Sequence, residues 1–167
     1  MKKLEVSGAA KLRGQIRISG SKNASLPILA ATLLSDKKIS LTNIPRVKDV
    51  ETMIKLLESM GSKVKVLKNK NKLVIQNNKK IKTKASYNLM STMRAGIIVL
   101  GPLLARFGKA KVSTPGGCSI GVRPIDIHLE ALKKMGAQYK IINGYVHASA
   151  KNGLIGTKIK FPKISVG

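Results

Sequence analysis

The sequence predicts a mixed α/β (α+β) fold built from a repeated helix-strand-helix-strand-strand unit, and three observations carry that reading. First, Leu57-Glu-Ser-Met-Gly-Ser-Lys-Val-Lys-Val66 parallels Leu132-Lys-Lys-Met-Gly-Ala-Gln-Tyr-Lys-Ile141 at an offset of 75 residues. A self-match at fixed spacing marks a repeated supersecondary unit. Second, in both copies apolar residues recur at helical spacing, stop at a glycine, and give way to strand-like alternation. Third, the 167 residues are 43% hydrophobic, enough apolar surface for a core and incompatible with disorder as the main state.

The elements follow in order. A helical stretch from Ala24 to Leu34 leads into a strand at Ile39 to Thr42. The next helix places Val50, Met53, Ile54, Leu57 and Met60 on one face and ends at Gly61. Val64 and Val66 alternate with lysines, Lys68 to Lys72 reads as a polar turn, and Leu73 to Ile75 resumes the strand. The second unit repeats the series: a helix from Met93 to Ala105, a strand from Lys111 to Ser113, a helix aligning Ile125, Leu129, Leu132 and Met135, and a stop at Gly136. It carries about three extra residues before its second helix, within Pro115-Gly-Gly-Cys-Ser-Ile-Gly-Val-Arg-Pro124. Each unit is preceded by a strand and a polar helix entrance: Gln15 to Ser19 before Ser21-Lys-Asn23, and Tyr87 to Leu89 before Ser91-Thr-Met-Arg94. A third such pair, Ile159 to Phe161 followed by Lys163-Ile-Ser-Val-Gly167, opens a further unit that is cut off. The units span about 21–85 and 86–160.

Charge bounds the function. There are 32 Lys plus Arg against 7 Asp plus Glu, a net charge of +25. A small basic nucleic-acid-binding protein is therefore the alternative function, since a basic domain is the electrostatic footprint of phosphate binding. Against it, 26 of the cations are Lys and only six are Arg, and no aromatic residues interleave them to stack bases. The run from Lys63 to Lys84 then reads as a solvated strand face. No apolar run approaches the roughly 18 to 20 residues that span a bilayer, and Met1 to Gly8 lacks the apolar region of a secretory signal. A single cysteine, Cys118, forms no internal disulfide, and no Cys/His cluster has zinc-site spacing. A soluble protein of a reducing, cytoplasmic compartment is expected, without membrane contact.

Three segments carry chemistry. Gly20-Ser-Lys-Asn-Ala24 opens a helix, where free backbone N–H groups and the helix dipole favour an anion and Lys22 adds a full charge. Asn23 serves either as the helix cap or as a ligand. Arg94 holds the equivalent place in the second unit and is a planar donor suited to phosphate or carboxylate. In the loop from Pro115 to Pro124, Cys118 lies among three glycines with Arg123 five residues on, a setting that lowers a thiol's pKa and fits it to donate a proton or act as a nucleophile. Asp126 and His128 follow; either they are a helix-start carboxylate and a half-exposed histidine, or His128, ten residues from Cys118, forms a Cys/His nucleophilic pair with it. His147 carries no signal.

Five segments in order, Ser19 to Leu29, Thr92 to Ala95, Leu100 to Gly108, Pro115 to Pro124 and Lys163 to Gly167, resemble the amino-terminal part of the UDP-N-acetylglucosamine 1-carboxyvinyltransferases, the enolpyruvyl transferases of peptidoglycan synthesis. The shikimate-pathway relatives share the fold and the first entrance, but are not expected to carry the cysteine loop. The resemblance implies an inside-out α/β barrel of the enolpyruvyl transferase type. It would have two domains of three units each, with the active site between them. It further implies that residues 1–20 belong with the absent second domain, that 21–167 form a partial first domain, and that the chain is an inactive fragment lacking the carboxy-terminal part of the same protein. By the same resemblance Lys22 and Asn23 contact phosphoenolpyruvate, and Cys118 is the proton donor. Arg94, Arg123, Pro124, Ile125, Asp126, Ile127, Lys163, Ile164, Ser165 and Val166 contact UDP-N-acetylglucosamine. No metal or organic cofactor is implied.

Overall fold

The structure, a computed structural model, describes residues 3–8, 11, 13–67, 71–114 and 125–162, with the backbone alone at Arg94. The first unit runs α1 (Lys22–Ala31), a 3-10 turn (Thr32–Leu34), β1 (Lys38–Thr42), α2 (Lys48–Met60), β2 (Ser62–Leu67) and β3 (Lys72–Asn77). A linker holding β4 (Lys84–Ala85) and α3 (Tyr87–Met90) leads into the second. That unit contains a 3-10 stretch (Arg94–Val99), α4 (Leu100–Phe107), β5 (Lys109–Ser113), α5 (Asp126–Lys134), β6 (Gln138–Ile142) and β7 (Tyr145–Ser149).

The repeat is visible in the sheets. The first has the order β1-β3-β2, all antiparallel, and the second has β5-β7-β6 in the same antiparallel arrangement with β4 added parallel to β5. Cross-strand rows sort the side chains: Ile39, Ile75 and Val64 share one face, and Lys38, Gln76 and Lys63 the other. In the second sheet Ala110 and Ala148 face the core, while Lys84, Lys111, His147 and Lys140 form a row across four strands on the other face. The apolar faces cover helices whose Leu29, Leu33, Met53, Leu56, Leu57, Met60, Leu100, Leu103 and Leu104 are fully buried. Lys63, Lys65 and Lys84 are exposed, as expected of a solvated face.

Several local expectations hold for identifiable reasons. Gly61 (φ 107°) and Gly136 (φ 95°) follow α2 and α5 in left-handed conformations that a side chain resists. Others are corrected. Leu56 is buried and Ile54 only partly so, because α2 packs not only on α1 and β2 but also on α3 and β4 of the next unit, which widens its apolar face. The expected helix from Met93 to Ala105 is 3-10 up to Val99 and α-helical only from Leu100. Pro102 lacks the N–H that would bond the Ile98 carbonyl, and it stands in the first turn of α4, where a helix needs no such bond. The expected strand at Tyr87 to Leu89 is instead α3, which buries Met90, and the strand is β4 just before it.

Residues 15–19 and 159–161 form no strand either. Ile16 and Ile18 keep their alternation but are 87% and 79% exposed, and among the described residues no neighbouring strand hydrogen bonds and shields this segment. The expected three extra residues before α5 fall within residues 115–124, which lie outside the described residues. Of the expected turn from Lys68 to Lys72, residues 68–70 lie outside the described residues, Asn71 has a φ of 42°, and Lys72 already belongs to β3.

Candidate functional site

The start of α1 is built by its sequence. Ser21, in extended conformation (φ −73°, ψ 131°), caps the helix by accepting a hydrogen bond from the Ala24 N–H at 3.3 Å, and its carbonyl accepts from the Ser25 hydroxyl at 2.8 Å. Ser21 is therefore the cap of α1, not Asn23. Pro27 sits inside the helix and cannot return a hydrogen bond to the Asn23 carbonyl. Gly20 is packed so closely against the Asn43 carbonyl and Pro45 that a Cβ would collide with backbone. The start of α1 is thus braced on the loop leading into α2. That helix has no side-chain cap at Val47 but carries Asp49 and Glu51 in its first turn, where the dipole favours carboxylates.

Lys22 reaches across this junction, its Nζ 3.0 Å from Oδ2 of Asp49. Both side chains line a cavity of about 600 Å³ together with Asn23, Leu26, Pro27, Thr92, Met93, Ala95, Ile97 and Ile98. The cavity joins the helix entrances of the two units, the places where the sequence put cations. Lys22 and Asn23 are brought together. Arg94 lies in the chain between two lining residues, Met93 and Ala95, and opens the 3-10 stretch.

Other expected site residues fall elsewhere. Asp126 and Ile127, in the first turn of α5, line a separate cavity of about 80 Å³ with Ile159, Lys160, Phe161 and Pro162, and Ile125 precedes that helix half-buried. Cys118, Arg123, Pro124, Lys163, Ile164, Ser165 and Val166 lie outside the described residues. His128 is half-buried on α5, and burial holds its pKa below the usual histidine value. A third cavity, about 210 Å³ and mostly apolar, lies between the loop at Ile44 to Arg46, α2 and the β2–β3 hairpin, away from the expected site residues.

Sequence reasoning missed Asp49, Thr92 and Met93 as cavity residues. Thr92 and Met93 belong to the quoted Thr-Met-Arg-Ala segment, whereas Asp49 reads in isolation as a dipole-compensating acid. Among the described residues no group of three or more His, Cys, Asp or Glu is placed to hold a metal, and no helix is long and apolar enough to cross a membrane.

The model of the EPSP synthase (3-phosphoshikimate 1-carboxyvinyltransferase) family matches residues 6–167. The chain belongs to this family. Within it, the chain is 73% identical over 167 residues to the UDP-N-acetylglucosamine 1-carboxyvinyltransferase of Pelagibacter ubique (strain HTCC1062), covering 100% of this chain and 40% of that protein. It is 55% identical over 168 residues to the protein of the same name from Sulfurovum sp. (strain NBC37-1), again covering 100% of this chain, and 39% of that one. The chain thus spans about 40% of the length of the curated relatives it matches. Among solved structures, it is similar to the enolpyruvyl transferase NikO from Streptomyces tendae, with a TM-score of 0.71 at 17% identity over 89% of this chain and 32% of that one. The EPSP synthase from Acinetobacter baumannii gives 0.67 at 18% identity, over 92% and 35%. The mixed helix-and-sheet architecture is the enolpyruvyl transferase fold.

Proposed function

We propose that this chain is the amino-terminal part of a UDP-N-acetylglucosamine 1-carboxyvinyltransferase. The complete protein would transfer the enolpyruvyl group of phosphoenolpyruvate to the 3-hydroxyl of UDP-N-acetylglucosamine, releasing phosphate. The observation that carries this is 73% identity along the whole chain to a protein of that name. The reaction is the first committed step of peptidoglycan synthesis and would place the protein in the cytoplasm, serving cell-wall growth and division. Residues 1–20 would join a second domain; their support is Leu4, Val6, Ile16 and Ile18, which alternate like strand residues yet stand exposed. Units about 21–85 and 86–160 would be two of the three in the first domain.

The residues suit addition followed by elimination. Cys118 would give its thiol proton to the methylene carbon of phosphoenolpyruvate as the sugar hydroxyl, losing its own proton to a carboxylate of the carboxy-terminal part, adds to the neighbouring carbon. Loss of phosphate and of a methyl proton then restores the double bond. Lys22 and Asn23 would hold phosphoenolpyruvate, both lining the cavity between helix entrances, where cations stabilise a polyanion before and during reaction. Arg94, Arg123, Pro124, Ile125, Asp126, Ile127, Lys163, Ile164, Ser165 and Val166 would contact UDP-N-acetylglucosamine.

Phosphate release from the full-length protein carrying this chain, with both substrates, tests the reading. Turnover is expected there and none from the 167 residues alone, because two units cannot enclose the cleft; turnover by neither would overturn the assignment. Intact-mass measurement with the epoxide fosfomycin and UDP-N-acetylglucosamine tests Cys118: one adduct on wild type and none on Cys118→Asp. No adduct on wild type would leave Cys118 an inert thiol.

A further inference from the structure

We propose that Asp49 is a positioning residue, aiming the Lys22 ammonium at the anionic substrate in the cavity between the helix entrances. This rests on the transfer reaction proposed above, in which Lys22 holds phosphoenolpyruvate. Lys22 is the first residue of α1 and Asp49 lies in the first turn of α2, so their contact at 3.0 Å ties two helix starts together at the cavity wall. The Lys22 and Asp49 side chains are 49% and 38% exposed. A pair this open adds little to fold stability, since solvent screens the attraction and ordering a long side chain costs entropy. Its consequence lies in geometry.

A free lysine spreads its charge over many rotamers, and a ligand must bear the cost of ordering it. Asp49 sets that order in advance. The ammonium has three donors; one is directed to the carboxylate, and two remain for phosphate or carboxylate oxygens of a substrate in the cavity. The carboxylate can hold this place because the α2 dipole favours it there and because the contact of Gly20 with Asn43 and Pro45 fixes the separation of the two helix starts.

The test is steady-state kinetics on the full-length protein carrying this chain, varying each substrate at saturation of the other. Asp49→Ser keeps a residue favoured in a first helical turn but cannot reach Lys22. It is expected to raise KM for phosphoenolpyruvate about fivefold while KM for UDP-N-acetylglucosamine stays within about twofold, the size set by reordering one lysine. Asp49→Glu, which keeps a carboxylate within reach, is expected to restore most of the loss. In a Lys22→Gln background, adding Asp49→Ser should lower kcat/KM no further, because the two residues act as one unit.

An equal loss on both substrates, or a loss that persists in the Lys22→Gln background, would make Asp49 merely structural and overturn the proposal. So would a lowered KM for phosphoenolpyruvate in Asp49→Ser, which would mean the carboxylate only repels the ligand. A wild type that turns over while Asp49→Ser is unchanged refutes the role of Asp49 alone. A wild type that releases no phosphate refutes the transfer reading and the proposal with it.

Discussion

Replacing Asn77 by alanine should weaken the fold well beyond the loss of one polar side chain. Asn77 ends β3 at 2% exposure and closes three hydrogen bonds: its Oδ1 accepts from the Ser62 hydroxyl at 2.6 Å, and its Nδ2 donates to the Thr32 carbonyl at 2.6 Å and the Ser35 carbonyl at 3.0 Å. These bonds fasten the exit of α1 to the ends of β2 and β3. Each buried bond contributes about 1 kcal/mol net, and orphaned partners add desolvation cost, so Asn77→Ala should cost about 2–4 kcal/mol. The Thr32 carbonyl also accepts from the Ser35 N–H at 3.2 Å, which keeps the cost from the upper extreme. Urea unfolding followed by far-ultraviolet circular dichroism would read this as a midpoint lowered by about 1–2 M for an m-value near 2 kcal/mol/M. Asn77→Asp should do at least as much harm at neutral pH, because it sets carboxylate oxygens against two carbonyls. Part of the loss should return on acidification, as a protonated carboxyl can donate again. A midpoint shift for Asn77→Ala below about 0.3 M would show that the hydrogen-bonded knot does not hold these elements together.

Burial lowers the pKa of His128, so as pH falls below the unfolded value near 6.5 the unfolded chain takes up a proton that the folded chain resists. Stability should drop over that range in wild type and less in His128→Gln; parallel stability curves would refute it. Gly20→Ala should lower the thermal midpoint by several degrees, since its Cβ would meet the Asn43 backbone; an unchanged midpoint would show that this loop yields freely. Arg123→Lys in the full-length protein should lower kcat/KM although charge is kept, because lysine cannot reproduce a planar two-pronged contact; an unchanged value would assign Arg123 a structural role.

The helices, hairpins and repeat were legible in the sequence because they rest on local physics. Period-3.6 burial, period-2 alternation and glycine's freedom at positive φ act within a few residues, so α2, β2, β3, β6 and β7 could be read directly, and Gly61 and Gly136 as their punctuation. Even an unread turn had a local signal: Asn143 (φ 49°) and Gly144 (φ 73°) form the two-residue hairpin that an Asn-Gly pair favours. The cation at each helix entrance was also legible, since a lysine or arginine beside polar helix-start residues is a sequence pattern.

Tertiary structure alone decided what depends on a distant partner. The strand pattern of Ile16 and Ile18 expresses a propensity, but a strand exists only where another backbone completes its hydrogen bonds, and none does so here among the described residues. Arg106 donates to the Leu33 carbonyl at 2.9 Å, joining the second unit to the first across 73 residues of chain. Asp49 reads as a dipole-compensating acid until α1 and α2 pack and bring it to Lys22. Local sequence sets which conformations and charges are available. Packing sets which charges meet, because that distance is fixed by the core between two helices and not by the chain that joins them.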